Sequence, residues 1–206
     1  CPYTTRFRSA NLGVTQRARI EYALGGGRIN TDAIDNSAGV DCSDHEVNIK
    51  ILLNTLGKKA QLTENKRSAL LHSMTEDVAQ LVLGNNYRQG QTIGLANYEM
   101  EFRNKEYDGL ITYLEENAGL VRDLEFLPST EQLEERTAKQ QFLTRPEVAT
   151  VTSYMKMYLK QVLVNADYID DHYLENYLHD AFPANLARKY RGEIAKHPLR
   201  RELVAT

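Results

Sequence analysis

Residues 144–164 read TRPEVATVTSYMKMYLKQVLV, and this stretch decides the fold class. Thr144-Arg145-Pro146 opens the clearest amphipathic helix in the chain. Val148, Val151, Met155, Tyr158, Leu159 and Val162 then recur at helical spacing and give it one apolar face. The same period extends outward in both directions. Upstream, Leu127-Pro128-Ser129 makes a turn, and Ser129-Thr130-Glu131-Gln132 is a capping box for the next helix. Helical spacing covers roughly residues 91–117 before that, with a bend expected near Asp108-Gly109 and a stop at Gly119. Thr63 starts a helix in which Ala69, Leu70, Met74, Val78, Leu81 and Val82 share a face, expected to close at Gly84-Asn85-Asn86. Val47, Ile51, Leu52 and Leu53 mark another, expected to begin at Ser43 and to break at Gly57-Lys58-Lys59. Downstream, Asp170-Asp171, Phe182-Pro183 and His197-Pro198 each precede a short helix.

Only the first forty or so residues depart from this pattern. Thr15 caps a short helix from Gln16 to about Leu24, with Ile20, Ala23 and Leu24 on one face. Gly25-Gly26-Gly27 stops it by supplying a left-handed residue. Residues 28–31 read as a short extended segment. The expected architecture is a small α/β remnant up to about residue 42, followed by a helical, bundle-like domain. Residues 1–9 have neither helix nor strand period, and they read as a leader that does not belong to the fold. With no initiator Met and an end in mid-pattern at Leu199-Arg200-Arg201-Glu202-Leu203, the chain reads as a piece of something longer.

Composition narrows the function classes. Hydrophobic residues make up 42% and charged residues 26% of the 206, as in an ordinary globular protein. A net charge of −3 gives no reason to expect nucleic acid or an anionic membrane surface as partner. No apolar run approaches the length of a membrane span, and no stretch reads as a secretory signal. Cys1 and Cys42 are the only cysteines, which argues against a disulfide scaffold and fits a reducing cytoplasm.

The chemistry concentrates in residues 35–46, DNSAGVDCSDHE. Ser43-Asp44-His45-Glu46 fits the S-x-x-E capping box, which would make it a purely structural helix start. Asp41, Cys42, Asp44, His45 and Glu46 are metal-ligand types, but adjacent positions on one helix start cannot converge on one ion, and no second ligand cluster exists. His72, His172, His179 and His197 are scattered and read as surface or half-buried. Cys42 lacks a positioned base and reads as a small buried cysteine. The small, polar turn Asp35-Asn36-Ser37-Ala38-Gly39 can instead bring backbone and an amide close to a ligand. The helix N-terminus after it can hold a carboxylate or phosphate, with the Ser43 hydroxyl aimed at the same anion. The basic residues Arg188, Lys189, Arg191, Arg200 and Arg201 are interrupted by Glu193 and Glu202 and read as a solvated face. Tyr154, Tyr158, Tyr173 and Tyr177 read as packing residues. Gly25-Gly26-Gly27 lacks phosphate-loop spacing.

The run from Ile29 through Lys50, with Ala10-Asn11-Leu12-Gly13-Val14-Thr15-Gln16 and Arg19-Ile20-Glu21-Tyr22-Ala23 before it, closely resembles the large, bacterial-type NAD-specific glutamate dehydrogenases. Leu124-Glu125-Phe126-Leu127-Pro128, Leu143-Thr144-Arg145-Pro146-Glu147 and His197-Pro198-Leu199-Arg200-Arg201-Glu202 resemble the same family's C-terminal helical region. The resemblance implies a mainly α chain: residues 10–56 as the end of an α/β NAD-binding catalytic domain, then 57–206 as an incomplete helical C-terminal domain. It implies an enzyme converting L-glutamate to 2-oxoglutarate and ammonia with NAD as cofactor, active as a homo-oligomer. By the match, Ala10-Asn11 is the end of one family segment, and Asn36-Ser37-Ala38-Gly39-Val40-Asp41-Cys42-Ser43 is another. Asn11 and Asn36 would then lie by the nicotinamide ribose and carboxamide, with Gly39 also on the cofactor side. Ser43 would bind the side-chain carboxylate of glutamate. The chain departs from the family at Arg8-Ser9, at Ala18 and at Ala38. The family's catalytic lysine and aspartate and its Gly-rich loop are not in this sequence. No catalytic and no metal residue is therefore assigned, and the 206 residues alone are expected to be inactive.

Two other classes compete with this reading. A non-enzymatic helical assembly or regulatory module explains the amphipathic helices equally well but leaves residues 35–42 without a purpose. A metal-dependent hydrolase built on Asp41, Asp44 and His45 predicts stoichiometric bound metal.

Overall fold

The computed structural model describes residues 13–58 and 62–206. These are mainly α-helical, and no strand occurs among them. The extended segment at 28–31 is coil, so the α/β remnant is not seen among the described residues. Its side chain Ile29 is buried, but the Asn30 carbonyl accepts from the Arg19 guanidinium rather than from a neighbouring strand. Residues 1–9 and Asn11 lie outside the described residues.

The chain divides into two compact units. One joins the described residues up to Ser37 to Arg88–Lys156, and the other joins Ala38–Tyr87 to Met157–Thr206. The first contains α1 (Gln16–Leu24) and α2 (Asp32–Asp35). Thr15 caps α1 by accepting from the Ala18 amide, and Gly26 at φ 87° follows its end, as the sequence indicates. A single helix, α5 (Thr75–Ala118), enters this unit at Arg88 and buries Ile93, Ala96, Met100, Ile111 and Leu114 along one face. The helix is unbroken at Asp108-Gly109, and Gly119 at φ 66° follows its end. Next come α6 (Arg122–Glu125) and α7 (Thr130–Ala138), the latter opened by the expected capping box of Ser129 and Gln132. The unit closes with the start of α8 (Arg145–Val164), where every residue from Pro146 to Val151 is buried.

The second unit is built on α3 (Ser37–Lys58). Its inward face carries His45, Ile49, Leu52, Leu53 and Leu56, whereas Val47 is 48% exposed. Val47, expected on the apolar face, therefore points outward, and His45 takes a place on the inward face. Leu52, Leu53 and Leu56 join Ile49, Met74, Leu178, Phe182, Leu186 and Ile194 in one buried cluster. Each such aliphatic side chain contributes about 1.5–3 kcal/mol on burial. After α4 (Glu64–Ser73), Met74 interrupts the helix, and α5 begins at once. The stop expected at Gly84-Asn85-Asn86 does not occur: the Asn85 amide donates to both oxygens of Asp41, so a residue that reads as a turn former is held by tertiary contact. Two 3-10 turns, Asp167–Asp170 and His172–Leu174, lead to α9 (Glu175–Asp180), α10 (Ala184–Lys189), α11 (Arg191–Ile194) and α12 (Arg200–Val204). Asp171 caps the second turn through the Tyr173 amide, again as read from the sequence.

Candidate functional site

The polar run at 35–46 does not start a helix at Ser43. It bridges α2 and α3, with Asn36 between them and α3 already helical from Ser37. The capping-box reading of Ser43 and Glu46 is therefore overturned: Ser43 lies well inside α3, and Glu46 is paired with Lys50 instead. Ser43 sits nearly two turns from the helix start, roughly 9 Å along the axis, beyond the reach of the terminal amides and most of the dipole. What it retains is an exposed hydroxyl on the outward face that also presents Val40, 66% exposed, and Val47. A Cβ at Gly39 would meet nothing within 4 Å, so open space adjoins the backbone there. Cys42 is exposed, not buried as expected.

Around Asn36 the first unit is rigidly organised by Arg19, which the sequence reading passed over. Its side chain is 1% exposed. The guanidinium donates to the carbonyls of Val14 and Asn30, to Asp35 Oδ2 at 2.8 Å and to Asp32 Oδ1 at 2.9 Å. A buried guanidinium is stable only when its charge and donors are met, and here two carboxylates and two carbonyls meet them. The signal available was an arginine beside Ile20 in a short helix, with aspartates three apart in the next one. The Asn36 amide closes α2 by donating to the Asp32 carbonyl, so its backbone is fixed through the same short helix.

In the second unit His45 is buried beneath the outward face of α3. Its Nδ1 faces the Ala181 carbonyl at 3.1 Å, which can only accept, so Nδ1 carries the proton. Nε2 faces the Asn85 amide. His179 and His197 are buried as well, where the sequence suggested surface or half-buried positions, while Tyr173 and Tyr177 are exposed rather than packed. Among the described residues no group of three His, Cys, Asp or Glu is placed to hold a metal ion. No described helix is long and apolar enough to cross a membrane.

A cavity of about 450 Å³ opens in the first unit among Arg17, Ile20, Glu21, Asp123, Phe126 and Arg136. None of Asn36, Gly39 or Ser43 lines it, and the Arg136 guanidinium is already engaged by Glu147.

Residues 7–96 match the family model described as bacterial NAD-glutamate dehydrogenase, catalytic domain, and residues 140–206 match that of glutamate dehydrogenase, C-terminal. The chain belongs to the bacterial NAD-glutamate dehydrogenase family. It is 50% identical over 196 residues to the NAD-specific glutamate dehydrogenase of Pseudomonas aeruginosa, 47% to that of Halomonas elongata and 43% to that of Mycobacterium tuberculosis. Each match takes in 95% of this chain but 12% of the relative, so the chain spans about an eighth of the length of the curated relatives it matches.

Proposed function

We propose that this chain is part of an enzyme that oxidatively deaminates L-glutamate to 2-oxoglutarate and ammonia. Its own share is to hold and orient ligands rather than to move protons. The observation that carries the reading is the 50% identity sustained over 196 residues with an NAD-specific glutamate dehydrogenase. NAD, when bound, supplies the acceptor for the hydride leaving the glutamate Cα. Asn36, with Asn11, serves the nicotinamide ribose and carboxamide, because a side-chain amide offers both a donor and an acceptor to another amide. Gly39 serves the cofactor by leaving its backbone open to close approach, as the empty space beside it permits. Ser43 donates its exposed hydroxyl to the side-chain carboxylate of glutamate. Within this proposal the working enzyme is a cytoplasmic homo-oligomer, residues 10–56 end its catalytic domain, and 57–206 belong to its helical C-terminal domain.

Steady-state kinetics of the full-length enzyme test the assignments. Asn36→Ala is expected to raise KM for NAD, and Ser43→Ala to raise KM for glutamate, each by about tenfold, the worth of one ligand hydrogen bond. Unchanged KM values in both variants would remove these residues from the site. The purified 206-residue chain is expected to form no NADH from glutamate and NAD, since it lacks the family's proton-transfer residues.

A further inference from the structure

Within the first unit, a residue of the C-terminal family segment reaches the segment that carries Asn36. Arg145, the first residue of α8, donates through Nε to Asn30 Oδ1 and through Nη2 to the Gly90 carbonyl of α5 at 3.1 Å. Its Nη1 lies 3.5 Å from where a Cβ at Gly94 would stand, one turn further along α5, so the guanidinium lies against that helix. Burial lowers its pKa, yet a guanidinium stays charged at neutral pH. The Asn30 amide is used on both sides. Its oxygen faces Arg145, and its nitrogen donates to Asp35 Oδ1 at 2.9 Å. Asp35 Oδ2 in turn accepts from Arg19, and Asp35 immediately precedes Asn36. A second tie runs beside the first: Gln16 of α1 donates to Thr150 Oγ1 of α8 at 3.1 Å.

We infer that Arg145 is a positioning residue for cofactor binding, acting through Asn30 and Asp35 to hold α2 and so fix Asn36. This rests on the assignment of Asn36 to the cofactor. The amide of Asn30 can make both contacts only in one orientation, oxygen toward Arg145 and nitrogen toward Asp35. The relay therefore transmits orientation and not merely proximity. It also gives the C-terminal segment a role at the active site without placing any of its side chains against a ligand.

The test uses the full-length enzyme and two variants that break the relay differently. Arg145→Met removes both arms and keeps a long apolar stem. Asn30→Asp changes no volume, keeps the acceptor for Arg145, and replaces the donor to Asp35 with a repelling carboxylate. Both are expected to raise KM for NAD about tenfold while kcat stays within about twofold, because the chemistry is untouched. Both should also speed amide exchange in peptides covering 31–36 without changing peptides from 45–56. Arg145→Lys, which has one arm where Arg145 uses two, should fall between wild type and Arg145→Met. Unchanged exchange in 31–36 overturns the positioning role whatever the kinetics. Faster exchange with an unchanged KM for NAD overturns its link to the cofactor. Asn36→Ala separates the two causes: if that variant raises KM for NAD and the relay variants do not, only the positioning inference fails. If it leaves KM unchanged as well, the cofactor assignment and this inference fall together.

Discussion

The carboxylate of Glu147, 1% exposed, accepts from both arms of Arg136 at 2.8 and 2.9 Å and from the amide and hydroxyl of Thr144. A buried charge held this way costs far more to strip than a surface pair gains. Glu147→Gln keeps the shape but loses the charge and turns one acceptor into a donor facing Arg136. It should destabilise the protein by about 3–4 kcal/mol, read as a lower urea midpoint, and a loss under about 1 kcal/mol would show that the pair is not the anchor its geometry implies. The histidines of the second unit set a different dependence. His197 accepts the Leu199 amide at Nδ1 and donates from Nε2 to the Asn48 carbonyl, so a second proton has no place without breaking the first contact. Burial, foremost, lowers its pKa below the ordinary 6.5. Burial and then Arg191 lower that of His179, whose two ring nitrogens have no hydrogen-bond partner among the described residues. Both imidazoles bind protons less readily folded than unfolded. The stability tied to them is complete above about pH 6.5 and is lost as pH falls through the folded values. Melting temperature should accordingly drop on acidification from neutrality. His179→Leu should raise stability at pH 7 by about 1 kcal/mol, by removing an unsatisfied buried ring, and should shallow the acid loss. A melting temperature as steep in pH for the variant as for the wild type would assign the acid sensitivity elsewhere.

At the scale of the element, two glycines of similar appearance in the sequence should behave oppositely. Gly109 lies exposed in the interior of α5, with open space at its Cβ position, so Gly109→Ala should stabilise by about 0.5–1 kcal/mol. Gly119 stands at φ 66°, where an L side chain is strained, so Gly119→Ala should destabilise by about 1 kcal/mol. Equal urea midpoints for the two variants would contradict both backbone assignments. The starts and stops that the sequence does reveal are of this local kind. The Thr15 cap, the glycine stop after Leu24 and the Ser129 capping box all rest on residues that satisfy or end a helix by themselves. The start of α3 differs from the sequence reading because Asp35-Asn36-Ser37-Ala38-Gly39 has turn composition, whereas α2 runs to Asp35, which Arg19 of α1 holds together with Asp32, and α3 starts at Ser37. The continuation of α5 through Asn85 and the inward turn of His45 likewise go with partners from distant positions, the Asp41 carboxylate and the Ala181 carbonyl. The polar composition of residues 35–46 marks the segment, but the ligand given to each candidate residue comes only from the resemblance. Neither Asn36 nor Ser43 has a spacing that announces a ligand, and the dipole argument for Ser43 failed when the helix start moved to Ser37.

For the whole molecule, the consequential feature is that neither compact unit is continuous in sequence. The first takes its N-terminal residues from the segment that matches the catalytic-domain model and its buried Leu143, Val148, Ala149 and Val151 from the segment that matches the C-terminal model. The second takes Ile49, Leu52, Leu53 and Leu56 from one and Leu178, Phe182, Leu186 and Ile194 from the other. A family-model boundary is thus not a folding boundary in this chain. A chain ending at Lys139 retains the capping box, α1 and α5, yet it strips each core of one wall and leaves Arg136 without Glu147. Losing three such large apolar side chains from the first unit, or four from the second, removes roughly 5–12 kcal/mol, comparable to the whole stability of a small domain. The truncated chain should keep part of its helical circular dichroism, because α5 is long, while its urea transition becomes broad and shallow and it binds a hydrophobic dye. A sharp transition with an unchanged midpoint would mean that residues 1–139 hold a complete core of their own, and the partition into two mixed units would have to be abandoned.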